Sequence, residues 1–162
     1  MKTYIRILLT AILAAIAAGN ALAANSERYF DSLSLQPGYD YSYISPTMLK
    51  AMGEQYLSDR AYGSLPVMTS DLTSLEMVST ASDGQNDELW KMIRDLKKSK
   101  KLETLSTKKQ DAYRYDVLAR MTNDSKYITH LMVITQNGGY AVDVVYMEGK
   151  IPVESLRYDL MK

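Results

Sequence analysis

The sequence contains no cysteine, and only one histidine, one phenylalanine and one tryptophan, among 162 residues. Without cysteine there is no disulfide, no thiolate metal ligand, no thiol nucleophile and no lipid-modified cysteine at an export cleavage site. With one histidine, a metal site would have to take its other ligands from carboxylates. We therefore predict no metal site, no cofactor and no catalytic residues, and a protein that is not a lipoprotein.

The chain also lacks a long apolar run, apart from a short one at its start. Lys2 and Arg6 are the only charges before Glu27, and an apolar stretch rich in Ile, Leu and Ala follows them. Small residues at Ala21 and Ala23 then precede a cleavage point, so the pattern predicts a signal peptide over residues 1–23. The apolar stretch is shorter than the roughly 20 residues that span a bilayer. An uncleaved membrane anchor is the alternative.

An excess of basic charge is missing as well. Once Lys2 and Arg6 are removed, 17 basic residues face 19 acidic ones, a net charge near −2. This balance argues against a nucleic-acid-binding protein, which usually carries a basic excess. We expect a periplasmic or extracellular protein with no stable membrane span after leader cleavage. Its parts would be a flexible lead-in over residues 24–38 and a single domain over residues 39–162.

The first half of that domain changes its hydrophobic period several times. Alternation over residues 39–44 predicts a strand, and Ser45-Pro46 is a helix start with a hydroxyl cap. Residues 57–71 are expected to form a loop, and residues 72–81 a strand with Leu75 and Met77 on one face and Val78 on the other. A helix follows from Asn86. It should end near Ser99, because Lys100 would otherwise fall in the apolar stripe.

The second half predicts an antiparallel meander. Strands beginning near Leu102, Ala112, Tyr127 and Tyr140 are separated by a turn at Lys108–Asp111, a turn at residues 122–126 and the hairpin signal Asn137-Gly138. Gly149 and Pro152 are expected to break the pattern before a final helix. The order is β-α-β-α-β-β-β-β-α, which predicts an α+β domain with a mostly antiparallel sheet and about three helices.

This order, together with three stretches of sequence, resembles a bacterial envelope family, the domain of unknown function 4252. The stretches are YSYISPTMLKAMG (41–53), LWKMIRDLKKSKKLETL (89–105) and the meander over residues 117–151. The sequence departs from the family pattern at residues 101–103, where the family usually has an aromatic residue. The resemblance implies export and an α+β fold, and it implies no activity and no site residues.

His130 is the one residue around which a catalytic site would assemble. It lies in the middle of a predicted strand, on a face expected to include Ile128, Met132 and Ile134, and no local motif surrounds it. We expect a packed or half-exposed strand histidine. The alternative is a periplasmic hydrolase whose site gathers distant residues around His130.

Two surfaces are candidates for binding. Tyr39, Tyr41 and Tyr43 alternate along a strand and would form an aromatic ladder for a glycan or a protein, although cross-strand packing is the more ordinary explanation for them. Lys97, Lys98, Lys100 and Lys101 would contact an anion, although Lys97 and Lys98 also suit a helix C-terminus. We expect a non-enzymatic envelope protein that binds a protein or a glycan, or serves as an accessory module. The sequence leaves its oligomeric state open.

Overall fold

The computed structural model describes residues 27–54, 67–80, 86–138 and 141–160, with the side chains of residues 157–160 outside that description. The predicted signal peptide over residues 1–23 lies outside the described residues. So does most of the loop expected over residues 57–71. Its described end contains a 3-10 turn, Thr69–Asp71.

Six strands form one sheet in which every pair of neighbours is antiparallel. The order across the sheet is β1-β2-β6-β5-β4-β3. The strands are β1 (Tyr39–Ile44), β2 (Leu72–Thr80), β3 (Glu103–Gln110), β4 (Tyr113–Met121), β5 (Tyr127–Asn137) and β6 (Ala141–Pro152). The described helices are α1 (Pro46–Met52), α2 (Asn86–Ser99) and α3 (Val153–Leu160). The predicted α+β class and order of elements are confirmed.

Both faces of the sheet carry a hydrophobic core. One core packs Leu49 of α1 and Leu156 of α3 against the sheet, and the other packs Leu89, Ile93 and Leu96 of α2 against the opposite face. Leu75 and Met77 belong to the first core and Val78 to the second, as the alternation predicted. We call the two sides the α1/α3 face and the α2 face.

Two of the predicted helix boundaries have a local cause. The Ser45 side chain accepts a hydrogen bond from the Met48 backbone N–H, and Pro46 is the first residue of α1. Helix α2 ends at Ser99, where the Leu102 N–H reaches the carbonyl of Lys97 at 2.9 Å and Lys101 takes a φ of 54°. This is the left-handed exit that closes many helices. Lys100 itself still donates its N–H to the Leu96 carbonyl at 2.9 Å, and its half-buried side chain is paired with Glu27.

Of two turns expected in the meander, one is wrong in its extent and the other is confirmed. The turn expected at Lys108–Asp111 is shorter, because Lys108 pairs with Tyr115 and Lys109 with Arg114 inside the β3–β4 ladder. Asp111, with a φ of 53°, provides the reversal. The hairpin at Asn137-Gly138 is present, although Asn137 still pairs with Ala141 and the turn begins at Gly138.

The segment predicted as a flexible lead-in is anchored to the domain over its described part, residues 27–38. Phe30 and Leu33 have no exposed surface and belong to the core of the α2 face. A 3-10 turn over Asp31–Leu33 brings both side chains to that core. Two apolar side chains are too few to give a periodic signal, so the sequence pattern did not distinguish this segment from a loop.

Gly149 was expected to break β6, and the strand instead continues through it to Pro152. A Cβ atom at this position would lie 2.0 Å from the Asp71 carbonyl oxygen and 2.8 Å from the Leu72 Cα atom. Gly149 pairs with Leu72, the first residue of β2. The glycine therefore marks a close approach of two backbones within a strand.

Replacing Gly149 by alanine should destabilise the domain by about 3 kcal/mol, the upper end of the usual cost of forcing atoms into a packed site. Urea denaturation measures the change. Lys150→Ala is the matched control, since Lys150 is the exposed next residue of the same strand, and it should cost less than about 0.5 kcal/mol. Equal stability of Gly149→Ala and the wild type would contradict the close approach.

Candidate functional site

A group of polar residues crosses the α2 face of the sheet. Glu76 of β2 lies opposite Tyr146 of β6, and His130 of β5 lies opposite Glu148 of β6. Residues directly opposite each other in an antiparallel pair point to the same side of the sheet. The strand registers therefore bring two carboxylates, a histidine and a tyrosine together on a face that is otherwise apolar.

Glu76 is a buried carboxylate, with 1% of its surface exposed. Its oxygens accept hydrogen bonds from the backbone N–H groups of Tyr29 and Phe30, each at 3.0 Å, and from the Tyr41 hydroxyl at 3.1 Å. Burial raises the pKa of Glu76, while these three hydrogen bonds act in the opposite direction. The Glu76 side chain therefore holds the N-terminal segment and Tyr41 of β1 to β2.

His130 is held by two neighbours on β6. Its Nδ1 atom lies 2.9 Å from the Tyr146 hydroxyl and 3.4 Å from Glu148 Oε1. The Tyr146 hydroxyl donates to Glu148 at 2.9 Å. A hydroxyl has one hydrogen to give, so Nδ1 of His130 must carry the proton that Tyr146 accepts. This arrangement orients the imidazole and leaves Nε2 for another partner.

The ionisation of Tyr146 and Glu148 reflects that arrangement. Burial, followed by the nearby Glu148 charge, raises the pKa of Tyr146, so its hydroxyl remains a donor. Burial also opposes the ionisation of Glu148. The hydrogen bonds from His130 and Tyr146 outweigh it and lower the pKa of Glu148. Glu148 is therefore an anion.

Lys100 joins the end of α2 to the N-terminal segment. Its Nζ atom lies 3.2 Å from Glu27 Oε2 and 4.6 Å from the centroid of the Tyr29 ring. The Tyr29 hydroxyl donates to the same Glu27 carboxylate. Burial disfavours the charged form of Lys100, but the hydrogen bonds with Tyr29 and Glu27 prevail and raise its pKa.

An open groove of about 530 Å³ lies at the end of the sheet where β2 and β5 begin and β6 ends. We call it the sheet-end groove. Its lining combines carboxylates, hydroxyls, an imidazole, an ammonium and an aromatic ring: Ser70, Asp71, Leu72, Thr73, Tyr127, Thr129, His130, Glu148, Gly149, Lys150 and Pro152. This volume lies within the usual range for ligand pockets.

Irregular strand pairing shapes the groove. The β2–β6 register shifts between Leu72 and Ser74, and the β5–β6 register shifts between Ile128 and His130. Such bulges bend a strand and re-aim its side chains. The second shift corrects one expectation, since Ile128 packs in the core of the α1/α3 face while Met132 and Ile134 share the α2 face with His130. The close contact between Gly149 and the Asp71 backbone brings Asp71 to the rim of the sheet-end groove.

The three tyrosines predicted as a binding surface lie on the α2 face of β1, and each is half-buried. Tyr39 and Tyr41 pack against the core of that face, and Tyr41 also donates to Glu76. The Arg28 guanidinium lies 4.5 Å from the ring centroid of Tyr43. The structure therefore places them beside the N-terminal segment and outside the sheet-end groove.

The four lysines predicted as an anion contact fall into different surroundings. Lys97, Lys98 and Lys101 are exposed, and Lys97 donates to the Thr104 hydroxyl at 3.3 Å. Lys100 is paired with Glu27, as described above. The structure does not gather the four side chains around one position.

Only part of the site was visible in the sequence. His130 stood out as the single histidine, but Asp71, Glu76 and Glu148 did not. Glu76 shares the face of Val78, so an acid at a core-facing strand position was visible in the alternation. Asp71 lies in a loop whose approach to Gly149 depends on long-range packing. Among the described residues, no group of three or more His, Asp or Glu side chains is placed to hold a metal ion.

Glu76 and Glu148 should affect the pH dependence of stability with opposite signs. Glutamine mimics the protonated carboxyl, so we compare the unfolding free energy of the wild type with that of each glutamine variant. The unfolding free energy of the wild type, relative to that of Glu148→Gln, should increase as pH rises towards neutrality. The lowered pKa of Glu148 adds stability to the folded state, and this stability is lost at acid pH. Relative to Glu76→Gln, the unfolding free energy of the wild type should decrease as pH rises above about 4.5, because the pKa of Glu76 is raised in the folded state.

Denaturant unfolding at about pH 3.5, 5 and 7 measures both differences. Asp40→Asn, at an exposed position of β1, serves as the control for removing one negative charge. The same sign of slope for the Glu76 and Glu148 variants would contradict the electrostatics described for this face.

The described helices include none that is both long and apolar enough to cross a membrane. The chain was compared with curated proteins, solved structures and protein-family models. No curated protein and no solved structure matches the chain. The family model of the domain of unknown function DUF4252 matches residues 34–157, which is most of the chain and includes all six strands. The chain therefore belongs to the DUF4252 family, as the resemblance in its sequence predicted.

Proposed function

We propose that the protein is an exported, non-enzymatic binding module of the cell envelope and that the sheet-end groove holds its ligand. The observation that carries the proposal is the groove itself, which combines an open volume of about 530 Å³ with a mostly polar lining and one aromatic ring. Ligand sites in proteins are concave and place a few polar groups to fix orientation. Export rests on the leader pattern of residues 1–23.

The surroundings of His130 favour binding over hydrolysis. Among the described residues, its ring hydrogen-bonds to Tyr146 and pairs with Glu148, and no serine or threonine hydroxyl lies within hydrogen-bonding distance. The hydroxyl beside the ring is that of Tyr146, which donates its proton to Glu148 and whose pKa is raised by burial, so it is not an activated nucleophile. A hydrolase around His130 is the second candidate, favoured by one observation: the histidine and two carboxylates, Asp71 and Glu148, line the same groove. A water molecule would have to be its nucleophile.

A bulky side chain in the groove should abolish ligand binding without unfolding the domain. Thr73 lines the groove and is exposed, so Thr73→Trp fills space at little cost in stability. The protein is immobilised and exposed to envelope extract, and the bound fraction is identified and quantified. We expect a component that the wild type retains and Thr73→Trp loses by at least about tenfold.

Thr47→Trp is the matched control, because Thr47 is an exposed residue of α1 outside the groove. It should retain the component as the wild type does. Retention that is equal in all three proteins, or absent in all of them, would contradict the proposal. Turnover of an envelope substrate that Thr73→Trp and His130→Gln both abolish would support the hydrolase.

A further inference from the structure

The two carboxylates of the sheet-end groove differ in how they are satisfied. Glu148 receives a hydrogen bond from Tyr146 and has His130 beside it. Asp71 is half-buried, and the ion pairs found among the described residues involve other acids. Burial, followed by the charge of Glu54, raises the pKa of Asp71. An acid in this position gains from the arrival of a cation.

The groove already contains one ammonium group. The Nζ atom of Lys150 lies 4.4 Å from the ring centroid of Tyr127, within the range of a cation–π contact. Lys150 is exposed, and its flexible stem lets the ammonium leave the ring at low cost. Tyr127 is therefore a ring surface suited to an organic cation, and Lys150 occupies it from the rim.

We infer that the sheet-end groove binds an organic cation, an alkylammonium or guanidinium group, and this inference rests on the proposed function. Asp71 supplies the counter-charge and Tyr127 the aromatic contact, in place of the Lys150 ammonium. Hydroxyl groups of Ser70 and Thr73 line the same groove and offer hydrogen-bond acceptors to the remaining N–H donors. Lysine and arginine side chains of a partner protein carry such groups, and so do small free amines.

Other ligand classes fit these residues less well. A metal ion is not favoured, because no cluster of three or more ligands occurs within the described residues. An anion would meet the charges of Asp71 and Glu148. A neutral glycan would leave the Asp71 charge without a partner and would have to displace Lys150 from the ring that sugars stack on. The cation is the ligand class that improves the electrostatics of the groove.

Peptide binding followed by nuclear magnetic resonance tests the inference directly. The probe is a short capped peptide with one arginine, and the matched peptide has citrulline, which keeps the shape and removes the charge. We expect the arginine peptide to shift the amide signals of Asp71, Thr73 and Tyr127 and the citrulline peptide to leave them in place. Agmatine serves as the free amine, and the order of the two affinities tells whether a protein segment or a small molecule is the better source.

Three variants are expected to change the affinity for the arginine peptide in different ways. Asp71→Asn should weaken binding of the arginine peptide by about fivefold to tenfold, because a charged partner is replaced by a neutral one. Lys150→Met should strengthen binding about threefold, because it removes the competing ammonium. Asp40→Asn removes the same charge from the exposed side of β1 and should leave affinity unchanged.

Several outcomes would overturn the inference. Equal binding of the arginine and citrulline peptides would do so, and so would equal weakening by Asp71→Asn and Asp40→Asn. If envelope capture remains sensitive to Thr73→Trp while neither agmatine nor the arginine peptide binds, the inference of a cationic ligand is wrong and the proposed binding function is retained. A neutral glycan fragment that shifts the groove signals leads to the same conclusion. If capture fails as well, both proposals are wrong.

Discussion

The fold depends on satisfying a carboxylate in the middle of β2, the second strand of the sheet. Glu76 lies on the face that packs against α2, where an unpaired charge would be costly. Two backbone N–H groups of the N-terminal segment and the Tyr41 hydroxyl satisfy it. These contacts fix the segment across the sheet, bury Phe30 and Leu33, and bring Glu27 to Lys100 at the end of α2. One acid thus links the start of the domain, its first strand and its longest described helix.

The polar groups on that face divide into a buried part and an accessible part. Glu76, Tyr41 and the N-terminal segment form the buried part, and their hydrogen bonds stay within the protein. Glu148 and His130 lead from it to the sheet-end groove, where Asp71 and Lys150 meet solvent. The close approach at Gly149 connects the buried part to the accessible part, because it places the first residues of β2 directly against β6. The residues that stabilise the sheet therefore also position the residues proposed to bind.

Local sequence patterns predicted most of the fold and little of the site. Alternation, the Ser45-Pro46 cap and the apolar stripe of α2 each depend on neighbours in sequence, and the structure confirms them. The predictions that were wrong concern long-range contacts. Gly149 reads as a strand break because its close neighbour, Asp71, is distant in sequence. Lys108 and Lys109 read as a turn because lysines are common there, although an edge strand also accepts them. The Asp71, Glu148 and His130 grouping arises only when three strand ends meet.

The sheet-end groove is proposed to take a cationic group against Asp71 and Tyr127. Intermolecular nuclear Overhauser effects measured with the arginine peptide test it most directly, because they report which protein protons lie next to the arginine side chain. We expect effects from the arginine methylene protons to the Tyr127 ring and the Thr73 methyl group. Effects confined to the rings of Tyr39, Tyr41 and Tyr43, with none at the groove, would contradict it.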